Sequence, residues 1–209
     1  MANEVEARYL IPDQLLFDRL LQLEDLGPWS FRNRDTVRVT DCYLDTPGKA
    51  LLHQGWACRL RSQGDTWVVT LKGPKEMEGP VVTRPEYEIT LRNRVEDVTR
   101  WPRSKVRSLV TELTGGLPLR RLVTIKQIRH RAILRDDLRP LAEISLDEVS
   151  TLAQDLHHQS LILECELREG KAHDLQRLDE LLVEQYALVP ESRSKLHRAL
   201  PVFLTPGFV

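Results

Sequence analysis

Glu4-Val5-Glu6-Ala7-Arg8 places three charged side chains at alternate positions. In an extended strand, alternate residues share a face. Glu4, Glu6 and Arg8 therefore point one way, and Val5 and Ala7 the other. Two carboxylates and a guanidinium on one face require partners. A divalent cation with an anionic ligand would satisfy them together, and so would water along an edge strand. One such triplet favours the solvated edge, but its recurrence along the chain changes the balance.

The same spacing returns at Arg59 and Arg61, at Thr70 and Lys72, and at Arg84, Glu86 and Glu88. It returns again at Arg129 and Arg131, at Glu143, Ser145 and Asp147, and at Glu164, Glu166 and Arg168. The residues between or beside these charges are largely apolar: Val5, Leu60, Leu71, Tyr87, Ile89, Ile144, Leu146, Cys165 and Leu167.

Eight extended segments can be read, near residues 3–11, 35–44, 56–62, 66–72, 81–91, 121–134, 140–149 and 160–168. Helical spacing covers 12–26, where Leu15, Leu16, Leu20, Leu23 and Leu26 follow the Pro12-Asp13 start signal and Gly27-Pro28 ends the run. Shorter or weaker helices are predicted over 47–54 and 102–114, and a stronger one over 170–187 with Leu175, Leu178, Leu181 and Leu182. Gln63-Gly64-Asp65 and Asp136-Asp137 read as hairpin turns, and Lys75 to Gly79 as a polar loop. The expected fold is α+β, an eight-stranded antiparallel β-barrel with helices packed outside, forming one domain over 1–209.

Two barrels would give this alternation. In one, charged faces meet water and apolar faces fill the interior. In the other, charges line the lumen and helices cover an apolar exterior. The amphipathic helices need an apolar surface to cover. The strands also use Arg and Glu where solvated faces usually mix in Thr, Lys, Ser and Gln. Acids and bases cluster on separate strands, which is poor for surface pairing and suits a metal beside a polyanion. The residues alone leave both arrangements open.

The 209 residues are 41% hydrophobic and 29% charged, as in a soluble globular protein. A net charge of −1 argues against a dedicated nucleic-acid binder. Cys42, Cys58 and Cys165 lack paired spacing, which favours reduced thiols and a cytoplasmic setting. No signal peptide and no membrane span are expected. The expected state is a monomer or homodimer.

Acidic strands suggest a hard divalent cation, because Mg²⁺ takes oxygen ligands and shares carboxylates with substrate phosphates. Basic strands suggest a polyphosphate, because the Arg fork grips phosphate oxygens in pairs. At this point the chain resembles the CYTH superfamily, the triphosphate tunnel metalloenzymes. Glu4-Val-Glu6-Ala-Arg8 matches that family's ExEx(K/R) opening, and Tyr43-Leu44-Asp45-Thr46-Pro47 its YxDT segment. Cys58-Arg59-Leu60-Arg61, Thr70-Leu71-Lys72 and Arg84-Pro85-Glu86-Tyr87-Glu88 match LRxR, TxK and RxExE. Glu143 to Asp147, Glu164 to Leu167 and Ser194-Lys195 match the late acidic strands and the C-terminal SK pair.

The resemblance implies a tunnel that binds a triphosphate and hydrolyses or cyclises it with Mg²⁺ or Mn²⁺. It implies Glu4, Glu6, Asp147, Glu164 and Glu166 as metal ligands. Arg8, Arg59, Arg61, Lys72, Arg84, Arg129, Arg131 and Lys195 become the phosphate-gripping set. Glu86 and Glu88, with Lys72, become catalytic, holding a second metal or positioning water. The run from Arg84 to Glu88 and the loop before it look most like bacterial inorganic triphosphatases, which points to tripolyphosphate. Thiamine triphosphatases of animals carry Trp where this chain has Ala57, so that substrate fits less well. Adenylate cyclases of class IV share the frame, and a non-catalytic polyphosphate- or nucleotide-binding module would use the same basic rows. Asp45 reads as a turn or helix cap in preference to a ligand.

Overall fold

The computed structural model describes residues 2–136, 139–153, 156–169 and 171–200. Eight strands carry the architecture: β1 (Ala2–Ile11), β2 (Trp29–Asp45), β3 (Ala57–Gln63), β4 (Thr66–Lys72), β5 (Val81–Leu91), β6 (Arg120–Arg135), β7 (Pro140–Ala153) and β8 (Leu156–Leu167). They pair antiparallel in the order β1-β8-β7-β6-β2-β3-β4-β5. The last strand returns to the first, Ala2–Ala7 running against Val81–Glu86. The sheet is therefore a closed ring, and each of these strands has a neighbour on both sides. Short strands at Asp25–Leu26, Glu76–Glu78 and Val189–Pro190 add to β2, β5 and β1. Residues 76–78, expected as loop, thus pair with β5. The Asp136-Asp137 turn lies partly outside the described residues.

Among the described residues five α-helices accompany the ring: α1 (Gln14–Leu21), α2 (Ala50–His53), α3 (Lys105–Thr114), α4 (Ala172–Tyr186) and α5 (Lys195–Ala199). Outward-facing Ala7, Tyr9, Ala132, Ile144 and Cys165 pack with Phe17 and Leu20 of α1 and with Leu175, Leu178 and Leu182 of α4. Leu44, Leu60, Val69 and Leu71 pack with Leu51 of α2, Val106 and Val110 of α3, and Trp101. Each large side chain so buried contributes about 1.5–3 kcal/mol. The apolar faces therefore lie outside under helices, and the charged faces line the lumen. The structure thus decides between the two barrels that the alternation allows.

Helix α1 is shorter than predicted. Asp13 caps its start, accepting from Leu16 N at 2.8 Å. At its other end Arg34 donates to the carbonyl of Leu21 at 2.9 Å and also to that of Leu23. Gly27, at φ +59°, then turns the chain into a hairpin that pairs Leu26 with Trp29. Leu15, placed in the stripe by spacing, faces solvent at 82% exposure. Strand β2 begins earlier than expected, and its pairing with β6 shifts between Arg32 and Asp35. Asn33 at φ 54° marks that break; Asn tolerates the left-handed region better than most residues.

Helix α5 is the element the spacing did not show. Its Leu196 and Ala199, with the adjoining Leu200, pack against Tyr43, Val123, Ile125, Val149 and Ile162. By period two these strand residues share the lumenal face with Asp41, Arg129, Asp147 and Glu164. The ring is thus filled at one end by an apolar cluster, and its charged cavity lies beyond it.

Asp45 serves as a cap. It is buried and accepts from Thr46 N at 2.7 Å, Leu51 N at 2.9 Å and Leu52 N at 3.0 Å. Replacing it leaves three donors without their partner, two of them at the start of α2. Asp45→Ala should lower unfolding free energy by about 2 kcal/mol in denaturant titration. A variant melting with the wild-type midpoint would remove that role.

Candidate functional site

The lumenal cavity has a volume of about 340 Å³. Strand alternation delivers most of its side chains, Arg168 follows the end of β8, Ser194 and Lys195 come from the start of α5, and cross-strand register decides which strand charges meet. Arg8 lies opposite Glu164, Arg84 opposite Glu4, Glu86 opposite Lys72, and Asp147 opposite Arg129.

At the end nearest α5, Lys195 Nζ donates to Asp147 Oδ2 at 2.5 Å and to Glu164 Oε2 at 2.8 Å. Arg129 donates to both Asp147 oxygens at 2.8 and 2.7 Å, and to Glu164 Oε2 at 2.7 Å. Arg8 Nε takes the other Glu164 oxygen at 2.7 Å. Burial alone would raise both carboxyls, yet these cations hold Asp147 below the usual range and Glu164 well below it. Burial lowers Lys195, Arg129 pushes the same way, and Asp147 and Glu164 oppose.

Further along β1, Glu6 accepts from Arg8 at 2.8 Å and Arg84 at 2.6 Å. Glu4 accepts from Arg84 at 2.7 Å and from Lys72. Burial pushes Glu4 up, but Lys72 and Arg84 prevail and bring it to about 2. On the facing wall Arg61 forks onto Asp41 at 2.7 and 2.8 Å. Arg59 donates to Thr70 Oγ1 at 3.0 Å, and Thr70 donates to Glu88 at 2.7 Å. Near the rim, Arg168 donates to Glu143 at 2.7 Å and to Glu166 at 3.1 Å, while Arg131 turns to Asp35.

Every residue expected in the site lines this cavity except Asp147. That residue is fully buried behind Arg129 and Lys195, and both its oxygens are taken by cations. It was expected to ligate metal, and here it anchors the basic groups. The other expected ligands do not gather around one point either. Among the described residues no three carboxylate, imidazole or thiol groups surround a common ion position. Glu4 and Glu6 lie on Arg84, Glu164 on the group nearest α5, and Glu166 on Arg168.

One wall nevertheless has the chemistry of a hard-cation site. Glu166 is pushed up to about 7, chiefly by burial; Arg168 opposes this, and Glu4 and Glu143 reinforce it. Glu86 is raised by burial against Lys72, with Glu4 and Glu88 adding to the rise. The directly opposed pairs Glu6 with Glu166 and Glu166 with Glu143 concentrate negative charge there. Oxygen donors short of positive charge fit Mg²⁺ or Mn²⁺.

Asp41, Tyr43, Glu143, Ser145 and Arg168 also belong to the site or its support and were not assigned roles from the sequence. Asp41 and Tyr43 had a usable signal. They are two apart, and they sit opposite Arg61 and Arg59 in the ladder.

A closed antiparallel ring with cations and carboxylates interleaved in its lumen defines a tunnel fold. Residues 2–200 match the CYTH domain, and the chain belongs to that family. Solved structures agree in fold. HpAC1 from Hippeastrum, described as having a dominant triphosphatase activity, has a TM-score of 0.73 at 19% identity, covering 97% of this chain and 98% of its own. A candidate adenylate cyclase from Bacillus halodurans gives 0.65 at 17%, covering 95% and 98%. A protein from Pyrococcus horikoshii OT3 gives 0.60 at 21%, covering 94% and 98%.

The raised Glu166 carboxyl makes folding pH-dependent. Between pH 4.5 and 7 the folded chain keeps a proton there that the unfolded chain releases. This group therefore removes stability as pH rises through that window. In metal-free buffer, Glu166→Gln should flatten that part of the stability–pH curve relative to wild type. Superimposable curves would show that Glu166 titrates normally.

Proposed function

We propose that this chain is a metal-dependent triphosphatase whose substrate is inorganic tripolyphosphate, cleaved to diphosphate and phosphate. One observation carries the reading: a single cavity gathers Arg59, Arg61, Arg129, Lys72 and Lys195 with carboxylates, two of which, Glu86 and Glu166, are raised by burial. The triphosphatase activity described for HpAC1, a relative in fold, supports it. Among the described lining residues the one aromatic ring is Tyr43, so the wall presents charge in place of a stacking surface for a base. This favours the inorganic anion over a nucleotide.

Arg59, Arg61, Arg129, Lys72 and Lys195 bind the phosphate oxygens. Arg8 and Arg84 offset the acidic residues of β1 and keep them in place. Glu86 and Glu88 orient the attacking water. As the water oxygen bonds to the terminal phosphorus, the bridging P–O bond breaks and diphosphate leaves. The basic wall takes up the charge that gathers on the departing oxygens, and this preorganised stabilisation is the main contribution of the chain itself. A divalent cation would find its oxygen donors in Glu166 and Glu86, the two carboxyls that burial raises, together with the substrate's own phosphates, and would neutralise phosphate charge and acidify water.

Phosphate release from tripolyphosphate should require Mg²⁺ or Mn²⁺ and exceed that from ATP and thiamine triphosphate. Glu4→Gln and Glu166→Gln should each reduce it to background while retaining cooperative unfolding. Retained turnover in both variants would overturn the assignment. Cyclic AMP formed from ATP in place of phosphate release would identify a cyclase.

A further inference from the structure

We propose that Asp41 is a positioning residue, one that aims the Arg61 and Arg59 forks at the anion in the cavity and touches no substrate itself. The inference rests on the triphosphate reading above. Asp41 is completely buried. Both arginines line the cavity, and Asp41 does not.

The geometry around it is tightly determined. Arg61 Nε donates to Oδ1 at 2.7 Å and Nη2 to Oδ2 at 2.8 Å. A pairing of two parallel hydrogen bonds fixes the plane of the guanidinium as well as its position. It leaves Nη1 of Arg61 outside the pair. Arg59 Nη1 stands 3.7 Å from Oδ2, and Arg59 Nη2 is bound to Thr70. The carboxylate is itself anchored from β6, where Gln127 Nε2 donates to Oδ2 at 2.8 Å. Thr70 passes the arrangement on to Glu88. One buried carboxylate thus fixes the Arg61 fork through two hydrogen bonds and attracts Arg59 by charge alone, and Arg59 in turn reaches Thr70 and Glu88.

Asp41 has the protonation this role needs. Burial would favour the neutral acid, but Arg59 and Arg61 hold it ionised far below the usual carboxylate range. It has no proton to exchange, and its oxygens are occupied by arginine and glutamine. Without it, a long arginine side chain samples many rotamers and must be ordered by the substrate instead.

The test is calorimetric binding of tripolyphosphate in chelator, where nothing turns over, beside steady-state kinetics with metal. Asp41→Asn should weaken binding and raise KM about tenfold, with kcat changed less than about threefold. Arg61→Lys should do the same, and the double variant should lose no more than the worse single, because both remove one fork. A role confined to stability would lower the melting point and leave KM in place. Wild-type affinity in folded Asp41→Asn, or losses that add in the double variant, would overturn the inference alone. A wild type that fails to bind tripolyphosphate would overturn the reading it rests on, and the inference with it. If Asp41→Asn shows no cooperative unfolding, Gln127→Leu loosens the same carboxylate and should raise KM about threefold. An unchanged KM there would overturn the proposal.

Discussion

Taking an ion out of water costs several kcal/mol unless an opposite charge and hydrogen bonds meet it. The lumen of this ring holds acids and bases together, so that constraint governs everything around it. It explains why Arg8, Arg84 and Arg129 each bridge two carboxylates rather than one. It also explains the register. Arg8 with Glu164, Arg84 with Glu4, and Arg129 with Asp147 stand directly opposite each other across the ladders. A one-residue slip would turn these charges outward under α1 and α4 and drive Leu and Val into the lumen.

The exception to this pairing is informative. Glu166 and Glu143 stand opposite each other and share one partner, Arg168, which answers both from an exposed position, while Glu6 across from Glu166 keeps Arg8 and Arg84. A chain selected only for stability would place a cation among them. The imbalance leaves two carboxylates to one exposed cation, and burial raises Glu166. The other wall shows the complementary design, with Arg59, Arg61 and Lys72 reaching into the cavity.

Much of this was legible because period two is a local property. Every ring strand but β2 declares its charged face within five residues, as at Glu4 to Arg8, and α4 declares its apolar stripe, as at Leu175 to Leu182. Which face turns inward is not local, and the alternation could not decide it. The structure does so by closing the ring under helices. Partnerships are equally non-local. Asp147 meets a lysine 48 positions away, and Asp41 a glutamine 86 positions away. No spacing rule connects such residues, so the cations around Asp147 were not foreseen and Asp41 went unassigned. The end of α1 was misjudged for a similar reason, since Arg34, from β2, takes up its last carbonyls.

Helix α5 gives the lumen a direction. With Leu196, Ala199 and Leu200 packed across one end, the passage is blind. A linear polyanion would then have to thread in by one terminus and back out the same way. Its depth of insertion would be gauged against Lys195, which stands at the inner stop. A bulky substituent on the trailing end would remain at the mouth. Such a passage would act as a ruler for phosphate number, and a substituent left at the mouth would gain no stacking surface from its charged wall.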